Sequence, residues 1–400
     1  MKALIILLDG FNPSDINKLN TPYIFSFKEK NKSAILKKSA PFCERSEFYS
    51  GENANVTNNF FAFDYSTEKS NYKGIEKRIY FYFFRFLDFL VDKISLFKLK
   101  LNFLNKVKIK FRSFFLSKTI KRGGVYYSIN QIPYKFLSSF SLTEDSKPPC
   151  QKFYKFNNAF FNQPIIKKIK TLNLFDDLCV ESKKKDYYQR LDLLKKELLI
   201  NKNDIYMIAN SELDYYTHNN GINQDQNYVN MINRIDNTVK SLCELFLKSN
   251  NKGNIFLFSP HGMLNVDNKV DVESIIKKHM DDSKNTYFID STAFRIWGSN
   301  LDHIWICLNN NKELTLNGSF VWSYDLYGSN ESSRHILWFA KTKTICFPDF
   351  FRRTLAPKGM HGYLDLKVQN GFIITNGILN KNEYYVKDIG TIVNNSLGQD

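Results

Sequence analysis

The chain has 400 residues, of which 43% are hydrophobic, and its formal net charge at pH 7 is +16. With only 17 Gly and 10 Pro, this composition excludes a disordered or collagen-like chain, and it predicts one large domain or a core domain with an insertion. The positive charge indicates an acidic partner, which is nucleic acid, an anionic membrane or a phosphorylated substrate.

The cysteines are too scattered for a zinc ribbon or a dithiol redox site, because no two of them form a C-x-x-C pair. Scattered thiols fit a reducing compartment, so we expect a cytoplasmic protein. The apolar run from Ala3 to Leu8 is too short for a signal peptide. No stretch approaches the roughly 18 uninterrupted apolar residues of a membrane span.

Ala3 to Leu8 instead predicts the first buried strand, which has Asp9 and Gly10 at its carboxyl end. Asp9 has two interpretations at this point, a cap of the following turn or a functional carboxylate. A short helix is predicted at Tyr23 to Lys28, after a turn that contains Pro22.

A second short helix is predicted over Glu44 to Ser50, with Gly51 at its end. Cys43 then lies near the helix N-terminus, where unpaired backbone N–H groups lower the pKa of a thiol and favour an anion such as phosphate. Ser46 is a second candidate nucleophile one turn further on, and Arg45 is a candidate phosphate contact. The alternative for Cys43 is a buried structural thiol.

Residues 77–122 are basic and aromatic. Thirteen Lys and Arg residues stand there against Asp88 and Asp92, which is most of the net charge of the chain. Interleaved basic and apolar residues are typical of helices that lie on an anionic membrane, and we predict a peripheral location at its inner face. The alternative is an ordinary helical insert with a solvated basic face. Nucleic acid is disfavoured, because no base-reading motif accompanies the charge.

The core of the fold is predicted to be α/β, with a doubly wound, mostly parallel sheet, because apolar strand patterns alternate with helical ones. We assign residues 1–70 and 181–400 to this core. Residues 71–180 are assigned to a basic, aromatic-rich helical insertion.

Polar residues follow several of the predicted strands. Asp214 and His218 come after a strand at Ile205 to Ala209, and their i, i+4 spacing on a helix places a carboxylate and an imidazole on one face. His261 follows another strand directly, and His361 lies in a glycine-flanked loop. Ligands of open α/β sheets bind beyond the carboxyl ends of the strands, so these residues are candidate metal ligands. A chance pairing of solvated residues is the alternative.

The ordered series of these motifs resembles the alkaline phosphatase superfamily, in particular its type I phosphodiesterase/nucleotide pyrophosphatase branch. The series is Asp9-Gly10, a candidate nucleophile before Gly51, Asp214-x-x-x-His218, His261-Gly262 and His361-Gly362. The stretches CERSEFYSG and KGMHGY are similar to bacterial members of this branch that are associated with surface glycans.

The resemblance implies two divalent ions that bridge a phosphate, with zinc as the expected metal and manganese as the alternative. It places Asp214, His218 and His361 at one ion. Asp9, His261 and the nucleophile are placed at the other. The nucleophile of the family is Thr or Ser at a helix N-terminus. Here Cys43 has the matching spacing, whereas Ser46 has the usual chemistry.

The chain departs from the family pattern at Pro260, where an aspartate ligand normally precedes the His-Gly pair. The second metal site is therefore expected to be impaired. Two functions of different class follow. One is a metal-dependent phosphodiesterase or phosphotransferase that acts through a covalent intermediate on a nucleotide-linked or lipid-linked glycan phosphate. The other is a degenerate, catalytically weak or inactive relative that binds phosphorylated ligands at a membrane surface.

Overall fold

The structure is a computed structural model that describes residues 2–44, 47–48, 51–57, 60–61, 63–65, 140–142, 169–173, 187–280, 284–327, 334–349 and 355–398. The basic stretch of residues 77–122 lies outside these ranges, as do Arg45 and Ser46. The predictions made for them therefore stay predictions.

The strands, in chain order, are β1 (Ala3–Leu8), β2 (Lys32–Lys37), β3 (Phe63–Tyr65), β4 (Phe140–Leu142), β5 (Ile169–Asn173), β6 (Ile205–Asn210), β7 (Asn254–His261), β8 (Leu264–Asn265), β9 (Asn268–Val270), β10 (Asn285–Ile289), β11 (Ala293–Gly298), β12 (Gly318–Trp322), β13 (Ile336–Ala340), β14 (Thr344–Cys346), β15 (Gly359–Met360), β16 (Asn370–Thr375) and β17 (Glu383–Tyr385).

The helices are α1 (Pro22–Lys30), α2 (Ala54–Thr57), α3 (Tyr187–Ile200), α4 (Glu212–Asn220), α5 (Gln226–Ser249), α6 (Val272–His279), α7 (Leu301–Asn309), α8 (Lys312–Asn317), α9 (Ser323–Tyr327) and α10 (Ile389–Leu397). Glu44, Glu47 and Phe48 are also helical, and the N–H of Gly51 donates to the carbonyl of Glu47. In the described part of the chain, no helix is long and apolar enough to cross a bilayer.

Seven of the described strands form the central sheet, in the order β17-β2-β16-β7-β1-β6-β5. All neighbouring strands pair in parallel except β16, which is antiparallel to both β7 and β2. The carboxyl ends of β1, β2, β6 and β7 therefore meet at one edge of the sheet, and the amino end of β16 reaches the same edge.

Both faces of this sheet are covered, because alternate residues of a strand point to opposite sides. In β1, Leu4 and Ile6 pack with the helical layer that contains Ile232 of α5, whereas Ile5 and Leu7 pack on the α10 side. Apolar side chains on both faces explain why the strand patterns read as continuous apolar runs. The predicted doubly wound, mostly parallel α/β fold is confirmed.

Polar side chains hold the helices of this layer in place. The carboxylate of Asp225 accepts the Tyr228 N–H at the start of α5, over 2.8 Å. Asp236 of α5 accepts the backbone N–H groups of Tyr23 and Ile24 in the first turn of α1, over 3.0 and 2.8 Å. Those N–H groups have no partner within their own helix, so Asp236 both satisfies α1 and joins it to α5.

A second, antiparallel sheet has the order β10-β11-β13-β12. One of its faces packs on α6 and α7, and the other lies against Ala40 and Cys43. This sheet therefore supports the segment that follows β2.

One predicted boundary needs correction. β5 falls inside the predicted insertion of residues 71–180, yet it pairs in parallel with β6 from Ile169↔Ile205 to Asn173↔Ala209. These five residues belong to the central sheet. Most of the remaining insertion lies outside the described residues, so the division into core and insertion is otherwise still a prediction.

Candidate metal centre

The parallel strands deliver the candidate ligands to one edge of the sheet. Asp9 directly follows β1, and His261 is the last residue of β7. β6 runs into α4, which carries Asp214 and His218. His361 follows β15, which is hydrogen-bonded to β8 just beyond His261. All five predicted metal ligands therefore converge, as the chain order of their motifs indicated.

Asp214, His218 and His361 form the first group, in which one potential ligand atom of each lies within 4.8 Å of the others. The Asp214 Oδ1 atom is 3.6 Å from His218 Nε2 and 3.7 Å from His361 Nε2. The i, i+4 pair thus shares a face of α4, and the third imidazole approaches from the 355–363 loop. One carboxylate and two imidazoles form the kind of donor set that binds zinc.

The orientation of His218 suits a metal ligand. Its Nδ1 atom lies 2.9 Å from the carbonyl oxygen of Gly359. A carbonyl only accepts, so Nδ1 carries a proton and Nε2 is the ring nitrogen that faces the group of Asp214 and His361, as in a metal-ligating histidine. The backbone of the same loop also fixes the helix, because the Lys358 N–H donates to the His218 carbonyl over 2.9 Å.

Asp9 and His261 form the core of the second group. The Asp9 Oδ1 atom is 3.1 Å from His261 Nε2, and both side chains are buried. Asp214 belongs to this group as well, since ligand atoms of Asp9, Asp214 and His261 lie within 4.8 Å of one another. His261 stacks on His361 with a centroid distance of 3.7 Å. The two groups are therefore in direct contact.

Glu44 is a member of the centre that the sequence analysis missed. Its Oε1 atom lies 3.4 Å from His261 Nε2 and 3.9 Å from His361 Nδ1. Glu44, His261 and His361 form a third group of potential ligands. The available signal is its position beside Cys43 at the helix start that follows β2, since the carboxyl end of β2 lies at the same edge of the sheet as Asp9.

Buried charges shift the pKa values at this edge. Burial would lower the pKa of His261, but the carboxylates of Asp9 and Glu44 outweigh burial and raise it. Burial would likewise raise the pKa of Glu44, but the Lys38 ammonium and His261 lower it. The Lys38 Nζ atom lies 3.5 Å from Glu44 Oε2 and donates to the Pro41 carbonyl over 2.8 Å. The arrangement therefore favours ionised carboxylates next to cations.

Two glycines allow the close approach of these segments. Gly10 has φ +67°, and an added Cβ there would lie 2.8 Å from the Asp214 Cα atom. Gly362 has φ +86°, and an added Cβ would lie 2.2 Å from the Phe42 ring. Side chains at these positions would both strain the backbone and push the ligand-bearing segments apart.

Cys43 does not have the predicted thiol chemistry. Burial raises its pKa well above the ordinary value, and Glu47 and Glu44 raise it further. Its Sγ atom donates to the Ala40 carbonyl and accepts the Ala40 N–H, each over 3.2 Å. The prediction that the helix N-terminus lowers this pKa is therefore wrong, because desolvation outweighs the helix dipole.

The described residues fit a divalent metal centre. Three carboxylates and three imidazoles face one another at a largely buried edge, and a cation there would offset the negative charge. Pro260 lies in β7 beside His261 and has no ligating side chain.

The type I phosphodiesterase/nucleotide pyrophosphatase family profile matches residues 131–324. This range contains Asp214, His218 and His261, whereas Asp9 and His361 lie outside it. No curated protein sequence matches the chain.

Solved structures of ectonucleotide pyrophosphatase/phosphodiesterase 5 have a similar fold. The murine protein superimposes with a TM-score of 0.60 at 13% identity, over 99% of this chain and 95% of that chain. An inactive variant of the murine protein in complex with AMP has the same score and identity, over 99% and 94%. The human protein has a TM-score of 0.61 at 13% identity, over 99% and 95%. At this identity the likeness shows the fold alone. The profile match and the fold together confirm the predicted resemblance.

Proposed function

We propose that this chain belongs to the type I phosphodiesterase/nucleotide pyrophosphatase family, whose profile matches residues 131–324, and that it cleaves a phosphodiester or pyrophosphate bond at a centre that holds two divalent ions. The family consists of phosphoric ester hydrolases, and its enzymes depend on metal. The proposal goes further in naming zinc, with manganese as the alternative, and in assigning the ligands.

One observation carries the proposal, namely the convergence of Asp9, Asp214, His218, His261 and His361 from four separate segments. The ligand atoms within each group lie no more than 4.8 Å apart. The buried carboxylate of Asp9 and the partly buried one of Asp214 come from separate segments, and such close carboxylates need a counter-charge that offsets their repulsion. A pair of divalent ions supplies such a counter-charge, and it also activates a nucleophile and stabilises phosphoryl oxygens.

The residues of the chain have distinct roles in this proposal. Asp214, His218 and His361 hold one ion, and the Gly359 carbonyl orients His218 for it. Asp9 and His261 hold the other. Ser46 is the proposed nucleophile that forms a covalent phosphoryl intermediate, because Cys43 is buried with a raised pKa. Arg45 is the proposed phosphate contact.

The substrate class is proposed to be a nucleotide-linked phosphoester, or a lipid-linked glycan phosphate. A nucleotide is supported by the nucleotide pyrophosphatases of this family and by the murine relative, whose inactive variant is in complex with AMP. The glycan is supported only by the bacterial resemblance of the motifs. A panel of nucleotide diphosphate sugars and dinucleotides distinguishes these classes.

The test is the hydrolysis of bis(p-nitrophenyl) phosphate by the full chain, first stripped of metal with a chelator and then reloaded with zinc. We expect turnover to return with zinc. The Asp214→Asn variant should lose more than the roughly 10–100-fold that loss of an outer-shell partner costs. Asp302→Asn is the matched control, because Asp302 is a surface carboxylate of α7 that pairs with Arg334. Turnover that is independent of both zinc and Asp214 would contradict the proposed function.

The second candidate, a degenerate relative that binds phosphorylated ligands without turnover, is favoured by Pro260. The same experiment separates the two functions. A zinc-loaded chain that binds AMP in a titration but cleaves no diester would establish the binding protein instead of the enzyme.

We propose separately that residues 77–122 hold the protein at the cytoplasmic face of an anionic membrane. The support is compositional, since basic and aromatic residues are interleaved there. Binding to phosphatidylserine vesicles should fall steeply as salt rises from about 0.05 to 0.5 M, because salt screens the attraction. If the protein does not bind the vesicles, or binds them equally at all salt concentrations, residues 77–122 are a structural insert and not a membrane anchor.

A further inference from the structure

Apart from the nucleophile, which is the reacting group, the residues predicted for the metal site on the His261 side supply too few ligands. Asp9 and His261 supply one carboxylate and one imidazole, and Pro260 supplies none. Catalytic zinc sites usually have three protein ligands and one open position. A third ligand from elsewhere in the chain would complete the site.

Glu44 has the required geometry. The His261 Nε2 atom lies 3.1 Å from Asp9 Oδ1 and 3.4 Å from Glu44 Oε1, so two carboxylates meet the same imidazole nitrogen. Two ligands of one tetrahedral ion, each about 2.1 Å from it, lie about 3.4 Å apart. The separations of both carboxylate oxygens from His261 Nε2 are therefore short enough for these atoms to share one ion.

The Glu44 carboxylate is also available for this role. Its side chain is buried, and its Oε2 atom accepts no hydrogen bond from any residue that the structure describes. The Lys38 Nζ atom lies 3.5 Å from Oε2 and is itself held by the Pro41 carbonyl, whereas Oε1 is the oxygen nearer to His261. Oε1 therefore faces the imidazoles while the buried ammonium balances the charge.

Resting on the proposed function, we infer that Glu44 is a ligand of the second metal ion and supplies the carboxylate that Pro260 cannot. The second site then consists of Asp9, Glu44 and His261. Its two carboxylates neutralise a divalent cation, and Lys38 remains as a competing charge that weakens binding of the ion. The departure at Pro260 is thus compensated from the segment that follows β2.

The test is a zinc titration of the metal-free full chain by calorimetry, with cobalt(II) absorption as an independent reading of coordination. The unchanged chain should bind two ions. Glu44→Gln should keep one and bind the second at least about tenfold more weakly. Glu47→Gln is the matched control, because Glu47 is a buried carboxyl of the same helical segment that accepts the Ser39 N–H instead. It should bind both ions unchanged.

A second variant keeps the inference falsifiable if Glu44→Gln folds poorly. Lys38→Met removes the competing ammonium, so it should strengthen binding of the second ion, a gain that structural damage does not produce. Unchanged or weaker binding in Lys38→Met would overturn the inference, as would two ions of normal affinity in Glu44→Gln. Failure of the unchanged chain to bind any zinc would instead overturn the proposed function and the inference with it.

Discussion

The thiol of Cys43 is buried, and its pKa is raised first by burial and then by the nearby carboxylates of Glu47 and Glu44. A thiolate is the reactive form of cysteine, so a raised pKa disfavours this side chain as a nucleophile. The sequence left two interpretations open, a thiol activated at a helix N-terminus and a buried structural thiol, because desolvation cannot be seen in a sequence; the burial of Cys43 agrees with the second.

Ser46 should therefore be essential and Cys43 dispensable. Ser46→Ala should lose on the order of 10³-fold or more in turnover, because it removes the nucleophile. In Cys43→Ser the hydroxyl can take over the Ala40 hydrogen bonds, so turnover per folded molecule should stay close to that of the unchanged chain. Steady-state hydrolysis of the chromogenic diester measures both variants, and circular dichroism gives the folded fraction. The reverse pattern would make Cys43 the nucleophile.

The convergence of several candidate ligands was predictable from their residue type and their place in the chain. Asp214 and His218 share a helical face by spacing alone, and Asp9 follows an apolar run. The proximity of Glu44 to this group was not predictable in this way, since it depends on a distance to His261, which lies 217 positions later in the chain.

At the scale of elements, the apolar runs located the strands well. β1 has the predicted bounds, and β6 extends the predicted strand by one residue to Asn210. The antiparallel direction of β16 was not predictable, because a strand that is buried on both faces has the same apolar pattern in either direction. The pairing of β5 with β6 was not predictable either, because the polar residues of its sequence, IKTLN, interrupt the apolar run that would indicate a buried strand.

Close packing between the loop after β1 and α4 makes Gly10 a sensitive position. Gly10→Ala should cost at least about 1 kcal/mol, because alanine is strained at φ +67°. It should also weaken the first zinc site, because the added Cβ displaces Asp214. Thermal unfolding and zinc titration measure the two effects separately.

Gly298→Ala is the matched control, since Gly298 has φ +138° at the end of β11 and lies in the second sheet. It should lose stability but keep its zinc affinity. Equal zinc affinity in both variants would show that the contact between Gly10 and Asp214 does not position the metal ligand.

At the scale of the whole molecule, the fold is preserved where sequence similarity has largely been lost. A TM-score near 0.6 accompanies an identity of only 13%. The ordered ligand motifs helped to predict the fold class, because Asp9, Asp214 and His261 lie at or just after the ends of strands in the same central sheet. His361 instead follows β15, which pairs with β8 outside that sheet. The role of residues 77–122 depends on their surroundings, which composition does not specify.

The account as a whole depends on two zinc ions at the carboxyl edge of the central sheet. The most direct measurement is the anomalous difference density at the zinc absorption edge from crystals of the zinc-loaded chain. The account predicts two peaks about 4 Å apart. One lies among Asp214, His218 and His361, and the other lies against Asp9, Glu44 and His261. Density that shows no zinc at this edge of the sheet would contradict the account.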